Sequence, residues 1–63
     1  HYDWRVGYYL PAPFYSHYYY VDYGYYRLPP PPRGYRWIRV DNDVYLVAIG
    51  SGLIRDIIYG LFY

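Results

Sequence analysis

The run YRWIRVDNDVYLVAI, residues 35–49, narrows the fold of this chain more than any other feature. In its first six residues Tyr35, Trp37 and Arg39 fall on one face of a strand, and Arg36, Ile38 and Val40 on the other. That is the period of two that a pleated strand imposes. Asp41, Asn42 and Asp43 are turn chemistry, because short Asx side chains bond their own backbone and tolerate left-handed φ. Residues 44–49, VYLVAI, are apolar on both faces, the pattern of a central strand covered on both sides. Gly50, Ser51 and Gly52 make the next turn, so a three-strand antiparallel meander follows.

The third strand has a rival reading. In LIRDIIYGLFY, residues 53–63, Leu53, Ile54, Ile57, Ile58, Leu61 and Phe62 also fall on one helical stripe. The isoleucines, the preceding Gly-Ser-Gly turn and Gly60 favour a strand, but the residues by themselves leave the helix open.

A sheet this small has little core. At 63 residues the chain is one domain at most. Folds of this size usually add disulfides, a metal or a partner chain. With no cysteine there is no disulfide framework and no thiolate metal site. What remains is oligomerisation, or a metal site of His and Asp.

Upstream of the meander the vocabulary changes. Ten of the 14 tyrosines lie from Tyr2 to Tyr26. The phrase GYYLPAP, residues 7–13, returns as GYYRLPPPP, residues 24–32. We divide the chain at residue 18, into an extended Tyr/Pro-rich arm (1–17) and a small β domain (18–63). Residues 18–28 are β-prone and interrupted at Gly24, and read as an edge of the sheet. Pro29, Pro30, Pro31 and Pro32 end it, since proline has no N–H to give. Four prolines favour polyproline II, about 3.1 Å per residue and so roughly 12 Å of stiff spacer. The first copy of the phrase then reads as a second strand of the same kind, offered to the edge of its own sheet or of a neighbouring copy.

Residues 26–58, YRLPPPPRGYRWIRVDNDVYLVAIGSGLIRDII, resemble the RcnB-type family of bacterial periplasmic proteins, named for nickel/cobalt homeostasis. The resemblance rests on the Leu-Pro-rich run, Arg-Gly-Tyr-Arg-Trp, the acidic turn, Tyr-Leu-Val-Ala-Ile, a Gly-containing turn and a short apolar strand. It implies a small antiparallel sheet, export through the inner membrane and no enzymatic activity, and it favours the strand for the last segment. It supplies no metal ligand, because the matched stretch holds no His, Cys or Met.

Several function classes weaken on composition. The only Ser/Thr-type nucleophiles are Ser16 and Ser51. Ser16 adjoins His17, yet neighbours on a strand point to opposite faces. Glu is absent and no phosphate-binding glycine motif occurs, so an enzyme is not expected. Tyr, Trp and Arg interleave as on single-strand stacking platforms, but five Asp nearly cancel six Arg, and the net charge of +1 does not draw nucleic acid. No apolar stretch is long enough to span a membrane. His1 in place of Met reads as the residue left when a secretory signal was removed, so we expect export, to the periplasm or cell surface.

Two functional readings remain. The first is self-assembly. Lysine, the usual guard of edge strands, is absent, and VYLVAI pairs readily. Tyrosine rings suit interfaces, with large contact area and an O–H that needs a partner. Trp4, Tyr8, Tyr9, Tyr18, Tyr19, Tyr20, Tyr25 and Tyr26 are the candidate anchors of a homo-oligomer or filament, with no cofactor. Arg27, Arg36, Arg39 and Arg55 would pair with Asp or stack on rings. The alternative is a soluble periplasmic metal-homeostasis protein in which His1, His17 and Asp3 hold a nickel, cobalt or copper ion. The plainer account of those histidines is a cleavage remnant and a surface hydrogen-bonding residue.

Overall fold

The computed structural model describes residues 4–16 and 19–62. Three strands, β1 (Tyr35–Val40), β2 (Asp43–Ala48) and β3 (Ile54–Ile58), form one antiparallel sheet in the order β1-β2-β3. The meander and the strand reading of the last segment are both borne out. The hairpin register runs from Tyr35 opposite Ala48 to Val40 opposite Asp43, so the turn holds only Asp41 and Asn42. Asp41 takes φ 55, the positive value a right-twisted two-residue turn needs. Between β2 and β3 the register slips: Val47 faces Ile54 while Leu46 faces Asp56, leaving Arg55 as the extra residue of a bulge. That slip puts Ile54 and Ile57 on the same face, which strict alternation forbids.

As expected, β2 is covered on both sides. One face carries Ile38, Val40, Tyr45, Val47 and Ile54, and the other carries Trp37, Val44 and Leu46. The chain's own N-terminal half covers the first face and, together with the C-terminal turn, the second. Gly7 N–H donates to the Ile54 carbonyl (2.9 Å), Ile54 N–H to that of Tyr8 (2.9 Å), and Leu10 N–H to that of Gly52 (2.8 Å). Residues 7–10 therefore line the outer edge of β3, with a bridge at Tyr9 and Leu53. Leu10, only 2% exposed, enters the first core face. Pro11 opens a short 3₁₀ helix (Ala12–Tyr15), from which Phe14 and Tyr15 pack on that face beside Trp4.

The opposite face is closed by the second phrase. Tyr20 bridges Ile38 and Val21 N–H donates to the Trp37 carbonyl (2.9 Å), so the chain touches the outer edge of β1 for two residues. The β-prone run does not continue as a strand. Residues 23–27 are a turn, with Tyr26 N–H on the Asp22 carbonyl (3.3 Å), Leu28 N–H on that of Tyr23 (2.8 Å) and Arg27 at φ 60. The expected sheet edge over residues 18–28 is thus corrected: local turn bonds take the N–H groups a strand would have paired. Val21 and Leu28 then pack on the second face with Leu61 and Phe62.

The repeated phrase places one copy against each face of a single sheet. In each a leucine packs on a core face, Leu10 fully buried and Leu28 partly so. Only in the first copy does a proline end an edge pairing, since the second copy is already a turn over residues 23–27. Only the first copy lies strand-like on an edge, and the edge belongs to its own chain.

Candidate binding surface at the edge of the first strand

The open part of the molecule lies where residues 19–31 cross the outer edge of β1. Trp37 is 4% exposed, and its indole Nε1–H donates to the Pro29 carbonyl at 2.8 Å. That bond fixes the proline run beside β1. The run lies along the Trp37 face rather than across the sheet's end, and Tyr35 N–H closes the turn behind it on the Pro32 carbonyl (3.0 Å).

Two grooves flank the segment 20–21. The larger, about 410 Å³, is walled by Tyr20, Tyr23, Pro30, Pro31, Arg36 and Trp37. The smaller, about 290 Å³, is walled by Tyr19, Asp22, Tyr26, Arg39 and Phe62. Tyr20 and Val21 belong to both. Phe62 anchors the smaller one: its N–H bonds the Asn42 carbonyl (3.0 Å), and Gly60 N–H bonds Asp43 Oδ1 (2.8 Å), so the C-terminal turn folds back on the hairpin. The Tyr26 ring meets Phe62 edge-on at 5.0 Å, and the Arg39 guanidinium sits 4.2 Å from the Phe62 centroid.

Stacking, rather than pairing with Asp, is where three of the four singled-out arginines go. Arg39 lies on Phe62, Arg36 is 6.0 Å from the Tyr20 centroid, and Arg55 is 5.2 Å from that of Tyr35. Arg36 and Arg39 are further held by backbone acceptors, Tyr35 O from Nη1 and Asp41 O from Nε, each at 2.8 Å. Arg27 makes no such contact and is exposed in its turn.

The candidate interface residues do not form one patch. Tyr8 and Tyr9 are exposed at the β3 edge. Tyr19, Tyr20, Tyr25 and Tyr26 gather near β1, on the far side of the sheet. Trp4 turns inward, its ring 6.2 Å from Phe14 over the first core face. Tyr25 is the most exposed at 77%, edge-on to Tyr26 at 5.0 Å. Tyr18 lies outside the described residues, as do His1, Asp3 and His17, the whole set of candidate metal ligands. Among the described residues no three His, Cys, Asp or Glu side chains come together to hold a metal ion. Sequence reasoning missed the grooves; the available signal was the proline run eight residues before a strand tryptophan.

These features define a class: a small antiparallel β protein, one open sheet wrapped on one face by its N-terminal arm and on the other by residues 21–28 and the C-terminal turn. The chain belongs to the RcnB family, whose model, described as a nickel/cobalt transporter regulator, matches residues 7–56. The match reaches back to residue 7, upstream of the motif-bearing residues 26–58, and takes in the leucine and edge contacts of the arm. Searches of curated proteins and of solved structures return no match.

Proposed function

We propose that this chain is an exported, non-enzymatic regulator of metal homeostasis that works in the periplasm on a nickel/cobalt transporter. The family match over residues 7–56 is the observation that carries this reading. No helix among the described residues is long and apolar enough to cross a membrane. Because the described residues hold no chelating cluster, direct metal contact in this reading belongs to the imidazoles of His1 and His17 with the Asp3 carboxylate. Cells lacking the protein should hold altered nickel and cobalt; unchanged metal content would end the reading. For the purified chain, calorimetric titration with nickel, cobalt and copper should give binding that His1→Ala together with His17→Ala abolishes. Equal binding by that variant would move the contact elsewhere.

A second reading is self-association through exposed rings, favoured by the exposure of Tyr8, Tyr9, Tyr19, Tyr20 and Tyr25. Strand addition is its weaker half, since Tyr9 and Tyr20 already pair with Leu53 and Ile38 of the same chain. Sedimentation of the metal-free protein decides it. A salt-resistant species heavier than one chain supports assembly, and a monomer at all concentrations excludes it.

A further inference from the structure

We propose that the groove between the proline run and residues 20–23 is a docking site for an acidic peptide segment of a partner protein, with Arg36 as its anion contact. The inference stands apart from the metal reading, since it uses none of the candidate metal ligands.

Shape comes first. The groove has a volume of about 410 Å³, walled by the rings of Tyr20, Tyr23 and Trp37 and by Pro30 and Pro31. The wall of prolines and Trp37 is preformed. Proline fixes its own φ, and Trp37 is buried with its Nε1–H tied to Pro29. A ligand therefore meets little ordering cost on this side. Aromatic and prolyl walls take a flat apolar side chain, a tyrosine, tryptophan or proline of an extended segment.

Charge selects the flanking residue. From residue 27 to residue 39 there are four arginines and no aspartate. Arg36 lines the groove, while the one carboxylate of the 20–23 segment, Asp22, lines the neighbouring groove and accepts from the Tyr25 N–H (3.4 Å). The Tyr35 carbonyl and the Tyr20 ring position its guanidinium, and that carbonyl takes one of its five N–H donors. A fixed cation with unspent donors in this groove calls for a carboxylate on the ligand. One exposed ion pair is weak, so the rings must supply much of the affinity. That requires a ligand with an apolar side chain and an acid close together, which a peptide offers and a small inorganic anion does not. A nucleic acid fits less well, because a polyanion needs many cations and the chain's net charge is +1.

The test uses the full chain in chelator, with metal excluded, and a fluorescent peptide of sequence Gly-Asp-Tyr-Pro-Asp-Gly, capped at both ends. Its neutral counterpart carries Asn for Asp. The acidic peptide should bind with a Kd below about 1 mM and about five- to tenfold tighter than the neutral one. Arg36→Gln should erase that difference. Arg55→Gln removes the same charge from β3, outside the groove, and should leave affinity within about twofold. Tyr23→Ala should weaken both peptides. All three positions are exposed, and the dispersion of the amide spectrum checks that each variant folds. The proposal is overturned by equal affinity for the two peptides, by Arg36→Gln behaving as Arg55→Gln does, by no binding at about 1 mM, or by an oligothymidylate that binds more tightly than the acidic peptide.

Discussion

Gly50 and Gly52 stand two residues apart in the turn between β2 and β3, and the structure asks opposite things of them. Gly52 takes φ 82, and a Cβ there would collide with the Leu10 carbonyl, the group beside which the arm docks. Gly50 faces open space and has no positive φ. Left-handed φ costs an L-residue about 1–2 kcal/mol, and overpacking adds about 1–3 kcal/mol. Gly52→Ala should therefore destabilise the fold by about 2–5 kcal/mol. Gly50→Ala should stabilise it by about 0.4–1 kcal/mol through the unfolded chain. Urea unfolding of the two variants reads both signs in one experiment. The sequence shows that this loop turns. It does not show which glycine the arm presses on, because that depends on Leu10, far away in the chain.

Among the elements, β1 and β2 were legible because each carried its own proof, whereas for β3 the residues left strand and helix open and the family resemblance favoured the strand. Alternation marked β1, two-faced apolarity marked β2, and the Asx and glycine turns fixed where each ended. Arg55 was not legible as a bulge, since a one-residue slip leaves no trace in a run of Ile, Arg and Asp. The run around Tyr23 misled for a different reason. Tyrosine and valine fit a pleated surface only where a neighbour offers one, and β1's outer edge pairs for two residues before Asp22 and Gly24 turn the chain away. The larger groove forms in the space that turn opens against the proline run. Its proline wall is tied to β1 by one side-chain bond, Trp37 Nε1–H to Pro29 O. Trp37→Phe keeps most of the ring and deletes that donor. The expected cost is about 1–2 kcal/mol, one hydrogen bond plus an under-satisfied carbonyl. Amide exchange at Leu28 and Tyr35, the bonded amides that flank the run, should speed up more than in β2. Uniform exchange across both would show that the run is held by other contacts.

At the scale of the whole molecule, the question is how a 63-residue chain without cysteine covers both faces of three strands. A core of this size supplies no more than about 3–5 kcal/mol. Nothing in the tyrosine- and proline-rich arm has the periodicity of a core element, so a lone Leu10 gives no sign that it belongs inside. Yet Leu10 is as buried as the strand residues it touches, and Trp4, Phe14 and Tyr15 close the same face around it. Leu10→Ala should cost about 2–5 kcal/mol, most or all of the available stability. Removing residues 1–16 goes further, exposing Ile38, Val40, Tyr45, Val47 and Ile54 together and freeing the β3 edge. The shortened chain should lose its dispersed amide spectrum and aggregate, while the intact chain unfolds in one cooperative step that includes the Leu10 amide. A shortened chain that stays folded and monomeric would mean that the sheet stands without its first wrap. In that event the arm would be free to leave the β3 edge and engage something else.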